Sequence, residues 1–206
     1  MERVLEVYLR PYDPQYPVIC LDESPNQLIG EARQPYITKE GEKRMDYEYV
    51  RNGTVSIFMG CEPLAGRRYV EIHDSHKTRD WVLFVHMLVL NYPHAKRITI
   101  VQDNLSTHKP AAFYEYFPPE KAQAILDKIE WVFTPKHGSW LNIAEIELNV
   151  LKGQCLNRRI HDKTIMQEQV GQWQRNRNNK ASKVNWQFST QDARVKLKRL
   201  YPQIQG

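Results

Sequence analysis

Two stretches of β-prone residues in this chain end alike: "VICLD" closes on Asp22 and "ITIVQD" closes on Asp103. Between them lies "WVLFVHMLVL" (81–90), which is apolar nearly all round. A helix of that kind has to be buried, here against a sheet. If a crossover through that helix sets the two strands parallel and adjacent, Asp22 and Asp103 emerge side by side. Ligands favour the crevice beyond the carboxyl ends of such strands. An aspartate at a strand end is also an ordinary turn former, so the choice turns on whether another carboxylate joins the pair.

The rest of the chain supplies the sheet and its covering. "PVICLD" (17–22) reads as a short buried strand, and the polar, turn-rich stretch from Asp22 to Gly53 reads as irregular. Residues 54–60 and 67–73 read as a hairpin turning through Glu62 to Gly66. Thr78 has the chemistry of an N-cap, and Pro93 ends the helix it opens. A strand follows over 97–102, then two short helices, "KPAAFYEYF" and "PEKAQAILDKI", the second from a Pro-Pro step. Residues 129–135 read as a strand, Ser139 to about Asn157 as one helix, and 162–177 and 189–200 as helices. This order predicts an α/β fold, a mixed sheet with helices packed on its faces.

Two bare carboxylates held close repel, and a divalent cation relieves them. The helix "SWLNIAEIELNVLKGQC" offers a third. At about 100° per residue, Leu141, Ala144, Leu148, Leu151 and Cys155 form one apolar stripe, and Ile143, Ile146 and Val150 form another. Asn142, Glu145, Asn149 and Lys152 make a polar strip between them, with Glu147 on the other flank. An acid on a narrow polar strip of a buried helix is the more specific signal, which selects Glu145 over Glu147. The bland reading of the same strip is an exposed face with a Glu–Lys pairing.

Charge and composition narrow the function classes. Residues 1–150 hold 17 Lys/Arg and 21 Asp/Glu, whereas residues 151–206 hold 12 against 3, a net +9. Such a run suits a polyanion, with Trp173 and Trp186 interleaved, as well as a solvated face. The stretch 81–90 is too short to span a bilayer, and charged residues from Glu2 onward leave no signal peptide. Three dispersed cysteines without a CxxC predict buried free thiols in a reducing compartment. No Gly-rich phosphate loop points to nucleotide hydrolysis. His73 and His76 lack the partners of a zinc site, and a two-carboxylate glycosidase leaves the basic C-terminal third unexplained.

Taken together, "VICLDES", "VQDNLSTHK" and "TPKHGSWLNIAEIE" resemble the three signature blocks of DDE transposases, most narrowly the bacterial insertion-sequence branch of the mariner superfamily. The resemblance runs from about residue 17 to 160. It implies a ribonuclease H-like fold, a mixed five-stranded sheet flanked by helices, with Asp22, Asp103 and Glu145 as catalytic and metal-binding acids. It implies Mg²⁺ or Mn²⁺ as cofactor, two ions, cleavage of DNA at transposon ends and 3′-hydroxyl strand transfer into a target favouring TA. A homodimer in the active complex and a bacterial cytoplasmic, nucleoid-associated setting follow from the same resemblance. Forty-one residues separate Asp103 from Glu145, a longer interval than is usual in the superfamily. Family members carry helix-turn-helix modules before the first strand; here the expected layout is a leader or linker remnant (1–16), a catalytic domain (17–160) and a basic helical extension (161–206).

Candidate DNA contacts are His108, which could equally approach the metal or sit as a plain turn histidine, and the polar loop residues Lys136, His137 and Ser139. The latter precede the catalytic helix at its positive end, where an ordinary loop is equally at home. Arg158 and Arg159 complete the set, with a solvated pair as the alternative. A ribonuclease H-like nuclease without strand transfer and a catalytically silent DNA-binding remnant remain as alternative functions.

Overall fold

The structure is a computed structural model and describes residues 1–33, 36–39, 41–44, 47–105, 108–136 and 138–196. Its elements are α1 (Glu2–Tyr8), β1 (Val18–Glu31), β2 (Tyr36–Ile37), β3 (Lys43–Arg44), β4 (Tyr49–Glu62), β5 (Arg67–His73) and α2 (Thr78–Leu90). Then follow β6 (Ile98–Gln102), α3 (Phe113–Tyr116), α4 (Pro119–Asp127), β7 (Ile129–Phe133), α5 (Ile143–Leu151), α6 (Lys163–Asn179) and α7 (Thr190–Lys196). Five strands form one sheet in the order β5-β4-β1-β6-β7, and β2 and β3 pair as a separate ribbon. β4 runs antiparallel to both β1 and β5, while β6 runs parallel to both β1 and β7. The sheet is therefore mixed and flanked by helices, the architecture expected above.

The crossover read from the sequence exists. Val18, Ile19 and Cys20 pair in parallel with Thr99, Ile100 and Val101. Trp81, Val82, Phe84, Val85 and Leu88 of the intervening helix α2 are fully buried. The helix starts one residue earlier than its Thr78 cap predicts. Lys77 is the N-cap, and its backbone N–H donates to the Asp80 carboxylate at 3.1 Å.

Side chains alternate across the sheet and feed two cores. Cys20, Met59, Val101 and Val132 face one side with Leu141, Ala144, Leu148 and Leu151 of the α5 region and Met166 and Val170 of α6. Ile19, Leu21, Phe58 and Ile100 face the other side with α2 and α4. The first core also takes in Val4, Leu5, Val7 and Tyr8 of α1 and Ala193 of α7. The segments before residue 17 and after residue 160 thus pack on the sheet with the rest. The turn between β4 and β5 needs Gly66: its φ is +70°, and a Cβ there would stand 2.5 Å from the Ala181 backbone. All three cysteines are buried and free. No described helix is long and apolar enough to cross a membrane.

Two expectations are corrected. The stretch from Asp22 to Gly53 is not irregular, because β1 continues through Asp22 to Glu31 and pairs with a β4 that begins at Tyr49. β6 ends at Gln102, so beyond that point β1 has β4 alone as its sheet partner. A strand paired on one edge tolerates Pro25 and polar residues on both faces, which removes the apolar alternation that marks strands. Asp22 therefore sits inside a strand rather than at its end. The helix expected from Ser139 to Asn157 is broken into a 3₁₀ turn (Ser139–Leu141), α5 and a π-helical turn (Lys152–Leu156). Asn142 is extended (φ −83°, ψ 111°), and this separates the 3₁₀ turn from α5.

Candidate active site

Asp22 lies on the face of β1 shared by Cys20, toward α5; Asp103 follows the last residue of β6, and Glu145 stands in the first turn of α5. What joins these elements is Asn142. Its Oδ1 accepts the Ala144 N–H at 3.1 Å and caps α5, while its Nδ2 donates to the Leu21 carbonyl at 2.8 Å. One buried side chain thus pins the start of α5 to the backbone next to Asp22.

The charges of the other two acids bear on Asp22. Burial pushes the Asp22 carboxyl up to about 7, and the charges of Glu23, Asp103 and Glu145 push the same way against one hydrogen bond from the Glu23 N–H. Glu145 Oε2 is buried without a hydrogen-bond partner. Glu147, two residues on, is also buried, yet it accepts hydrogen bonds of 2.9 and 2.8 Å from Arg68 and two of 3.0 Å from Arg177. Burial raises the Glu147 carboxyl, but the two guanidiniums outweigh it and hold it below the usual range. Glu147 is neutralised within the protein and Glu145 is not.

A hard divalent cation fits this donor set. Carboxylate oxygens are the ligands that Mg²⁺ and Mn²⁺ prefer, and the unpartnered Glu145 oxygen and the destabilised Asp22 charge are what a cation relieves. Among the described residues no three His, Cys, Asp or Glu side chains are already arrayed to hold an ion.

Beside Asp103 opens a cleft lined by Asn104, Leu105, Thr134, Pro135, Lys136 and Ser139. Lys136 and Ser139 are exposed there, and His137 lies outside the described residues. Arg158 is exposed. Arg159 instead pairs with Glu31 and donates to the Glu48 and Tyr47 carbonyls at 3.0 and 3.2 Å. His108 is 2% exposed and stacks on Trp81, so in this conformation it lies inside and not on a DNA-facing surface. Sequence reasoning left Asn142 and Glu23 without roles. An asparagine just before an apolar run is a favoured N-cap, so Asn142 was findable; nothing in the spacing marks Glu23.

A mixed, ribonuclease H-like sheet with acids on β1, just after β6 and on α5 agrees with the DDE class that the signature blocks resemble. The family model described as DDE superfamily endonuclease matches residues 17–167, and the chain belongs to that family. Among solved structures it is similar to the Mos1 mariner paired end complex with Mn (TM-score 0.58, 14% identity, covering 88% of this chain and 54% of that one). It is also similar to a pre-cleavage Mos1 transpososome (TM-score 0.55, 12% identity, 88% and 59%) and to the Mos1 strand transfer complex (TM-score 0.51, 12% identity, 88% and 58%). At these identities the likeness is one of fold, and this chain spans less than two thirds of those proteins. A search of curated proteins returned no match.

Proposed function

We propose that this chain is the catalytic domain of a DDE transposase from the bacterial insertion-sequence branch of the mariner superfamily. It cuts DNA phosphodiester bonds at transposon ends and joins the freed 3′-hydroxyl to target DNA. The observation that carries the reading is the DDE superfamily endonuclease match over residues 17–167, with an unpartnered Glu145 oxygen and an Asp22 carboxyl pushed up to about 7 by burial first and then by the charges of Glu23, Asp103 and Glu145. Asp22, Asp103 and Glu145 would hold Mg²⁺ or Mn²⁺, in our reading two ions, which offset charge on the scissile phosphate and on the attacking oxygen. Asn142 keeps α5, and with it Glu145, against β1. Attack by water on phosphorus forms a new P–O bond and breaks the bond to the 3′ oxygen, leaving a 3′-hydroxyl and a 5′-phosphate. That hydroxyl attacks a phosphodiester of the target, and the displaced target oxygen leaves as a new 3′-hydroxyl.

We read Lys136 and Ser139 of the cleft and the exposed Arg158 as DNA-backbone contacts, with His137, outside the described residues, kept as a candidate from the sequence; Arg159 would act beside them once released from Glu31. The Mos1 structures of similar fold are a paired end complex with Mn and a strand transfer complex. This supports DNA as partner; a homodimer in the active complex and a TA target rest on the resemblance of the signature blocks alone.

The test is Asp103→Asn, which keeps shape and loses the charge that holds a cation. Nicking and strand joining with Mg²⁺ or Mn²⁺ should fall to background, while DNA affinity stays the same or tightens slightly because one negative charge beside phosphates is gone. Activity that survived Asp103→Asn would remove the metal-site reading. Cleavage without joining of a pre-cut 3′ end would reduce the function to that of a nuclease.

A further inference from the structure

The three acids of the site have a fourth carboxylate beside them that the reaction above does not use. Glu23 follows Asp22 on β1, and neighbouring residues on a strand point to opposite faces. Asp22 faces α5, whereas Glu23 faces the α2 side and is 10% exposed. Its Oε1 lies 3.5 Å from Nε2 of His108. On the opposite edge of the same ring, Nδ1 lies 3.7 Å from Oδ1 of Asp103.

The His108 side chain is 1% exposed, and neither ring nitrogen has a hydrogen-bond partner. Leaving a buried polar atom unsatisfied is costly, and native interiors avoid it. Carboxylate oxygens face both edges of this ring, each a few tenths of an ångström beyond the usual N–H···O limit of about 3.2 Å. A small closing movement brings the ring N–H within hydrogen-bond reach of a carboxylate.

The ring is also held in plane. It stacks on Trp81 with centroids 5.2 Å apart and planes 10° from parallel. Trp81 Nε1 donates to Gln102 Oε1 at 3.1 Å, and Gln102 Nε2 donates to the His108 carbonyl at 3.4 Å. The His108 N–H donates to the Leu105 carbonyl at 3.1 Å. Gln102 is the last residue of β6, so the chain leaves the strand at Asp103 and returns His108 to its end.

We propose that Glu23 and His108 are a positioning pair that sets the orientation of the Asp103 carboxylate for metal binding. Trp81 fixes the face of the imidazole, Glu23 one edge, and the other edge meets Asp103. Neither residue touches the reacting atoms. The proposal rests on the metal-site reading above and adds to it the groups that hold one of its ligands still.

The experiment measures Mn²⁺ binding to the full chain by electron paramagnetic resonance of the free ion, with melting temperature and steady-state nicking alongside. The variants are Glu23→Leu, His108→Phe, which keeps a ring to stack on Trp81, and the double variant. Each single variant should weaken Mn²⁺ binding about 10-fold, the scale of losing an outer-shell partner of a metal ligand. The double variant should be no worse than His108→Phe, because coupled residues are not additive. kcat should fall with KM for DNA unchanged, and excess Mn²⁺ should restore it. Native Mn²⁺ affinity in His108→Phe, or additive losses in the double variant, overturns the proposal. If His108→Phe does not fold, Glu23→Leu decides alone, and native affinity there is equally fatal. Asp103→Asn separates the two layers: if it leaves Mn²⁺ binding intact, the metal-site reading fails. If it abolishes binding while Glu23→Leu and His108→Phe bind normally, only the positioning pair fails.

Discussion

Glu145 and Glu147 share a helix and a charge, and the fold assigns them opposite uses. Glu147 is fully enclosed with Arg68, whose side chain is equally buried, and Arg177 closes the third side. Taking one partner from a buried ion pair leaves an uncompensated charge, at a cost of about 3–5 kcal/mol. Glu147→Gln is therefore expected to lower the melting temperature by roughly 10 °C for a chain of this size, whether or not metal is present. Glu145 has no such partner, and its buried Oε2 is unsatisfied. Glu145→Gln should leave the metal-free melting temperature unchanged or slightly raised while removing the gain on adding Mn²⁺. Differential scanning fluorimetry with and without Mn²⁺ checks both, and equal losses would contradict the division of roles. Choosing Glu145 from the polar strip of the helix reached the residue with the unsatisfied oxygen. The burial of Glu147 was not legible, because its two arginines come from residues 68 and 177, far away in sequence.

At the scale of elements, the site depends on how α5 is seated on β1. Asn142 makes two bonds of different kinds, an acceptor bond that caps the helix and a donor bond to the Leu21 carbonyl. The two can be separated. Asn142→Asp keeps an acceptor for the cap but loses the donor, so it should hold most of the stability and still slow nicking. Asn142→Ala loses both and should cost about 1–2 kcal/mol, the usual range for a lost cap. Urea unfolding beside a nicking assay tests the pair, and full activity in Asn142→Asp would show that the tether to Leu21 is idle. One stretch of strand carries no mark of it in its own sequence. The unbroken apolar run in "VICLD" reveals a strand covered on both faces, whereas the Glu23–Glu31 portion has only β4 beside it in the sheet and mixes Pro25, Asn26 and Gln27 among its residues. Its strand character comes from pairing with Tyr49–Phe58, not from its own composition.

For the whole molecule, the basic C-terminal third is less available than its count of net +9 suggests. Arg159 pairs with Glu31, Lys163 with Asp74 at 2.6 Å, Arg177 with Glu147, and Arg194 with Glu2 at 2.7 Å. These contacts join the C-terminal elements to the rest of the fold. Arg158 is exposed, so Arg158→Glu should weaken DNA binding and lower the slope of log affinity against log salt by about one phosphate contact, roughly 0.9. Arg159→Glu should instead reduce stability, because it sets two carboxylates against each other where an ion pair stood. Salt-titrated binding and thermal unfolding of both variants decide this, and an unchanged slope in Arg158→Glu would make that arginine a bystander. The sequence alone determined the local facts: two apolar strands, a helix with no polar face, an acid on a narrow strip, and blocks that mark the family. Those depend on neighbours within a few residues, where periodicity and side-chain chemistry speak directly. Only the tertiary structure decided that β1 runs past Asp22, that Glu147 is enclosed by Arg68 and Arg177, that Asn142 ties α5 to Leu21, and that Glu23 faces His108. Each of these joins residues distant along the chain, and such contacts are set by how the sheet pairs and packs, which local composition does not encode.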